Sequence, residues 1–188
     1  MGKTSKLAVI VDSGITFAAA IADTKAPPSV TAALCLLKVH YYAFDGQLHQ
    51  GQLVVHRSLR KELQDIFSII QARRFPLSRV IPIVHYGWSD EASMAANNSS
   101  AFNYRPVAGT TRLSRHAEGL AIDINPCQNP VVYADGTSLP VGAVYRPGAG
   151  GGVLAREGPV VQAFVARGWR WGGDFANLRD YHHFEKDL

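Results

Sequence analysis

The run Ala121-Ile122-Asp123-Ile124 sets an acid among side chains that favour a buried strand. A carboxylate taken out of water has to be hydrogen-bonded, ion-paired or bound to a metal. That demand constrains the 188-residue chain more than any other feature, because the fold must bring something cationic against Asp123. The same stretch, SRHAEGLAID, holds His116 upstream of the acid and Gly119 between them. A glycine there points to a backbone requirement, where a side chain would crowd the turn between the two polar residues.

A composition of 47% hydrophobic and 18% charged residues fits one globular domain with a good-sized core. The net charge of +4 suits an anionic partner and equally a solvated basic surface. Arg57, Arg60, Lys61, Arg73 and Arg74 are spread over an amphipathic segment, with no arginine-rich arm and no nucleic-acid reading motif, so no nucleic-acid partner is expected. Cys35 and Cys127 permit one disulfide without demanding it, and two thiols exclude a multi-thiolate zinc knuckle. Any metal must then be held mainly by histidine and carboxylate, the donor set of catalytic sites.

The first thirty residues need a separate decision. Lys3 and Lys6, an apolar stretch from Leu7 to Ala22, an Ala-Ile-Ala end and a proline-rich exit read as a secretory signal. Asp12, a charge inside that stretch, favours the alternative of a leader that stays with a cytosolic protein. Residues 1–30 are set apart as leader and 31–188 as the folded domain, and no later stretch is long and apolar enough to span a bilayer.

From Leu34 the sequence alternates, and LCLLKVHYYAFDGQLHQGQLVVH predicts a hairpin around Asp45-Gly46. In SLRKELQDIFSIIQARRF, Leu59, Leu63, Ile66, Phe67 and Ile70 recur at helical spacing, with Ser58 as N-cap and Pro76 as stop. VIPIVHYGW predicts a short strand, and the polar SDEASMAANNSSAFNYRPV a pocket wall leading to Arg105. GLAIDINP reads as the central strand bearing Asp123. The Gly- and Pro-rich segment from Cys127 to Gly158 reads as an extended loop or flap, PVVQAFVARG as a helix closed by Gly168, and the remainder as a turn and a last strand. Together these predict a single α+β domain in which helices flank a small antiparallel sheet around a metal site.

A mononuclear catalytic zinc takes three protein ligands and leaves one position open. His116 and Asp123 supply two, and DYHHFE offers His182 or His183 as the third. In an extended strand these two point to opposite faces, so one of them faces the metal, and the residues alone leave the choice open. Asp180 and Glu185 are the local candidates for the base that takes a proton from the attacking water. Glu185 shares the face of His183 in an extended segment; Asp180 does so only if the chain turns between them.

LSRHAEGLAIDINP, followed by GWRWGGDF and then DYHHFE, resembles the VanY-like zinc D-alanyl-D-alanine carboxypeptidases and their peptidoglycan endopeptidase relatives. The resemblance runs from about Leu36 to Glu185 and rests on the paired patterns SxHxxGxAxD and DxxHFE. It implies one zinc ion on His116, Asp123 and His183, Asp180 as general base and Arg105 facing the substrate, either at the developing oxyanion or on a substrate carboxylate, with His182 left a bystander. Glu185 is expected to orient a liganding histidine. Ser93, Asn97, Asn98, Ser99, Ser114 and Trp171 are the candidate substrate contacts, with Trp171 beside the site and Trp169 in the core.

The expected reaction is zinc-dependent hydrolysis of a D-amino-acid peptide bond in peptidoglycan stem peptides by a monomer exported to the periplasm or cell envelope, the favoured cut being terminal D-Ala-D-Ala. A stem-peptide endopeptidase, or a phage-type lysin made in the cytoplasm, is the alternative within the class. A non-catalytic zinc-containing module that binds wall polymer is the rival from outside it.

Overall fold

The computed structural model describes residues 8–188, so Lys3 and Lys6 of the signal-like leader lie outside the described residues. The described leader residues join the rest of the chain through a few anchors, with Ser13 and Ala20 buried and most of the others at least partly exposed. β1 (Ile10–Val11) is succeeded by two single-turn helices, α1 (Phe17–Ala20), which Thr16 caps, and α2 (Pro28–Thr31). The alternating segment forms the expected hairpin, β2 (Leu34–Tyr42) against β3 (Leu48–His56), in register from Leu34↔His56 to Tyr42↔Leu48. β1 adds to β3 in parallel.

Polar groups fasten this amino-terminal segment. The buried Gln52 side chain accepts from Ser13 Oγ at 2.6 Å and from the Ile15 amide at 2.9 Å, and donates to the Ile15 carbonyl at 3.0 Å. Asp12, the charge that sits oddly in a signal sequence, accepts from the Tyr41 hydroxyl and lies 2.9 Å from His49 Nδ1. Ala20 is buried with Leu34, Val54 and Phe102, and Ile15, Phe17, Ile21 and Val30 pack around them.

α3 (Arg60–Ala72) lays Leu63, Ile66, Phe67 and Ile70 on the hairpin. Its predicted cap is corrected: Arg57–Leu59 form a 3-10 turn capped by the His56 side chain, so Leu59 and not Ser58 precedes the helix. VIPIVHYGW is a strand only at its start, β4 (Arg79–Val80), and turns 3-10 over Ile83–Tyr86, because Pro82 has no amide hydrogen to continue a ladder. α4 (Asp90–Ala95) and β5 (Asn98–Ser99) follow, with β5 parallel to β4. Gly51 on β3 lets β4 come close, since a Cβ there would sit 2.1 Å from the Val80 carbonyl oxygen.

β6 (Ala121–Asp123) carries the buried acid. The stretch expected to be irregular contains a hairpin, β7 (Val131–Val132) and β8 (Ser138–Leu139), around Asp135-Gly136. α5 (Pro159–Val165) is the predicted helix, and Gly168 beyond it takes φ +82°. β9 (Arg170–Trp171), β10 (Arg179–Asp180) and β11 (His183–Glu185) complete the chain. Where one antiparallel sheet was expected there are several small ones, ordered β1-β3-β2, β10-β7-β8 and β6-β11-β9 beside the β4-β5 pair. The core lies between the hairpin, α3, α5 and the β6-β11-β9 sheet, and includes Trp169 and Trp171. No described helix is long and apolar enough to cross a membrane.

Deleting residues 1–22 removes the partners of buried Gln52, and leaving such a group unsatisfied costs about 1–3 kcal/mol before any loss of apolar packing. The truncated chain is expected to unfold at lower urea concentration by at least that much, as read by fluorescence; an unchanged midpoint would mean that the segment is not structural.

Candidate metal centre and its cleft

The register of one strand pair builds the centre. β6 and β11 run antiparallel with Asp123 opposite His183, and residues directly across such a pair hold their Cβ atoms about 4.5–5.5 Å apart. His116 arrives on a 3-10 turn, Arg115–Glu118, in which its own amide donates to Ser114 Oγ at 3.2 Å. That turn closes at Gly119 with φ +68°, where a Cβ would meet the His56 amide at 2.7 Å. The predicted glycine requirement therefore holds, and the crowding comes from β3.

The three side chains are buried and offer one donor atom each, all within 4.8 Å of one another. His116 Nε2 is 3.1 Å from Asp123 Oδ2 and 3.2 Å from His183 Nδ1, and His183 Nδ1 is 3.1 Å from Asp123 Oδ1. Those edges match the roughly 3.3 Å expected between ligands held at 2.0–2.1 Å in a tetrahedron. The outer nitrogens fix the rings. His116 Nδ1 must donate to the Ala101 carbonyl, so in the neutral ring Nε2 would set a lone pair against a carboxylate, and the two can pair only through a proton or a metal ion. A cation between them resolves that clash. His183 Nε2 faces Glu185 Oε2 at 3.3 Å, and Glu185 is itself paired with Arg170 at 2.8 Å. The donor set and its spacing fit a divalent ion.

Charge is tightly coupled at this centre. Burial pushes the Asp123 carboxyl up, but the imidazoles of His116 and His182, with hydrogen bonds from His116 and His183, hold it well below the usual carboxylate range. Burial pulls His183 down, yet its bonds to Asp123 and Glu185 and the nearby Asp180 charge carry it up to about 10. The bond to His183 likewise keeps Glu185 low against burial. Cys35 and Cys127 are free thiols, and Cys127 is not among the three donor groups.

The centre opens into a cleft of about 270 Å³. Asp90, Arg105, Arg112 and Arg115 line it, as do Ser114, Asp180, His182 and Glu185. Val131, Tyr133, Leu139, Phe175 and Leu178 form an apolar wall. The chain does turn between Asp180 and His183, which brings that acid to the cleft. Asp180 Oδ1 is a buried acceptor without a donor in hydrogen-bond geometry, and Arg105 Nε is a buried donor without an acceptor. Arg105 is otherwise held by Asp90, at 2.7 Å.

Of the candidate substrate contacts, Ser114 lines the cleft. The others do not, and each is committed elsewhere. Ser93 Oγ and the Ile81 backbone hold Asn98, Ser99 Oγ accepts from the Asn125 amide, and Asn97 bonds Gln128 and the Cys127 amide. Trp171 is a core residue whose indole N–H donates to the Tyr181 carbonyl at 2.9 Å. It braces the turn that carries Asp180 and His183 from behind.

His182 is more than a bystander in position. Nδ1 lies 2.7 Å from the Asn129 carbonyl oxygen, which only accepts, and Nε2 lies 3.0 Å from Asp180 Oδ1 and 3.9 Å from Asp123 Oδ1. Residues 181 and 182 form a turn and not a strand, so alternation does not set the direction of His182; of the two rings His183 alone joins the donor group, and His182 Nε2 stays 3.9 Å from the acid. The doublet of histidines in DYHHFE was the available signal.

The family described as D-alanyl-D-alanine carboxypeptidase matches this chain over residues 108–186, the span that holds His116, Asp123, Asp180 and His183. The resemblance carried by the two motifs is thus recovered by a family model from residue 108 onward, though not over residues 36–107, and the match supports a metallopeptidase. No curated protein and no solved structure matches.

With its pKa raised by Asp123 and Glu185, His183 is expected to hold both ring protons until an ion binds, one toward Asp123 and one toward Glu185. A metal on Nδ1 must displace the first. Calorimetric zinc titration near pH 8, repeated in buffers of different ionisation enthalpy, is expected to show about one proton released per ion; no release would mean a neutral His183. Because the folded pKa of His183 is raised, its pairing in chelated protein stabilises fully below the ordinary histidine value and is lost as pH rises through about 10.

Proposed function

We propose that this chain is a zinc peptidase that hydrolyses D-amino-acid peptide bonds in peptidoglycan stem peptides, with D-Ala-D-Ala carboxypeptidase action as the main reading. The observation that carries the proposal is the buried triangle of His116, Asp123 and His183 opening on a cleft that also holds Asp180. His116 Nε2, the Asp123 carboxylate and His183 Nδ1 would hold the ion. When bound, zinc supplies Lewis acidity toward the scissile carbonyl and makes a water acidic enough to attack near neutral pH.

The remaining work falls to protein groups. Asp180, whose Oδ1 lies 3.0 Å from His182 Nε2, takes the proton of the attacking water and passes it to the leaving amine. Arg105, fixed by Asp90, offers its free Nε to the charge that develops on the carbonyl oxygen. Glu185 keeps His183 in the tautomer that leaves Nδ1 for the metal. Ser114 orders the turn of His116, and the apolar wall receives methyl-bearing residues.

A second reading, cleavage inside the stem peptide, has its own support. Met94 and Leu139 line both the cleft and an adjoining cavity of about 430 Å³ that includes Glu91, Pro140 and Val141. A longer peptide has somewhere to continue. On either reading the folded unit works on the cell wall, which requires export or release by lysis, and residues 31–188 contain every group named in the reaction.

Zinc-loaded protein is expected to release D-alanine from a muramyl pentapeptide, to lose this with chelator and to regain it with zinc. Asp180→Ala should lower kcat by about 10²–10⁴-fold, the usual worth of a positioned base. Internal fragments from intact peptidoglycan without free D-alanine would select the endopeptidase. Folded, zinc-loaded protein that cleaves neither would favour a non-catalytic wall-binding module.

A further inference from the structure

The segment that carries Arg105 returns on itself. Backbone bonds join Ser114 to Arg105 at 3.1 Å and Val107 to Arg112 at 2.8 Å, and Pro106 bridges Leu113 between them. In such a ladder opposed residues share a face and successive residues alternate. Arg105, Val107, Arg112 and Ser114 therefore lie on one side, and these four line the cleft. Leu113, on the other side, is 46% exposed. The register, and not chance orientation of a surface arginine, puts Arg112 on the cleft side of the segment.

The cations of the cleft differ in what they already hold. Arg105 is paired with Asp90 at 2.7 Å, and Arg115 with Glu118 at 3.1 Å and with Asp187. Among the described residues Arg112 has no carboxylate within ion-pair distance, and its guanidinium makes no hydrogen bond. The carboxylates that share the cleft, Asp90, Asp123, Asp180 and Glu185, each face another cation or imidazole. A guanidinium with its fork free suits a bidentate carboxylate. The same cleft is lined by Val131, Tyr133 and Leu139.

We infer that Arg112 binds the terminal carboxylate of the substrate and so sets a preference for stem peptides that end in a free acid over those ending in an amide. The inference rests on the carboxypeptidase reading and assigns Arg105 to the carbonyl oxygen. It makes the loop of residues 107–113 the element that reads the end of the peptide.

The test compares kcat/KM of zinc-loaded protein on an acylated D-Ala-D-Ala peptide and on its carboxamide, for wild type, Arg112→Gln and Arg112→Lys. Wild type is expected to favour the acid by about tenfold or more, chiefly through KM. Arg112→Gln should bring the acid-to-amide ratio close to one, and Arg112→Lys should restore part of it as a point charge. An Arg112→Gln protein that keeps the preference, or loses activity equally on both peptides, overturns the inference. Binding of the same two peptides, followed by NMR shifts, reads it apart from turnover. Protein that cleaves neither peptide fails the carboxypeptidase reading, while a binding preference for the acid that disappears in Arg112→Gln would still sustain the role of Arg112.

Discussion

The buried carboxylate of Asp123 is the constraint on which the rest of the structure depends. An unpaired charge at such depth costs several kcal/mol, and removing one partner of a buried pair costs about 3–5 kcal/mol. The chain meets that cost with imidazoles from three directions: His116 from a capped 3-10 turn, His183 from across the strand pair, and His182 from the turn before it. The same arrangement that makes the acid tolerable brings three potential ligand atoms within 4.8 Å of one another. Stability of the fold and affinity for a cation are, at this place, the same electrostatic requirement.

The scaffold exists to keep that convergence in register. β3 passes so close to Gly119 and β4 so close to Gly51 that no side chain fits at either. Far from the cleft, Glu62 on α3 receives Lys186 Nζ at 2.8 Å and the Trp169 indole N–H, which ties the carboxyl end of β11 to the main helix. Trp171 holds the Tyr181 carbonyl, so the turn bearing Asp180, His182 and His183 is clamped on its inner side. A site built on paired strands and braced turns is held more firmly than one on free loops, and a metal site needs its donors placed to within about 0.5 Å.

Much of this was legible in the residues. An acid in a β-prone run announced a buried Asp123, the motif pair named the three side chains that the fold brings together and the acid that shares their cleft, and helical spacing gave α3 because its apolar face is long enough to be unambiguous. The β7-β8 hairpin was hidden by its glycine- and proline-rich surroundings, although Asp135-Gly136 is itself a turn signal, because two-residue strands leave no periodicity to read. Ser93, Asn97, Asn98 and Ser99 looked like a substrate wall because they are polar and near the site. They proved to be internal braces, since a short polar side chain serves a buried backbone group as well as it serves a ligand. The packing of the leader could not be read from an apolar, alanine-rich stretch, because the partners that hold it, Gln52, Tyr41 and His49, lie far along the chain.

X-ray absorption at the zinc edge on the loaded protein tests the central claim most directly. The account predicts a first shell of two imidazole nitrogens and one carboxylate oxygen at about 2.0–2.1 Å, with the remaining scatterer a light atom from solvent. A sulfur at about 2.3 Å, or a third imidazole from His182, would contradict it.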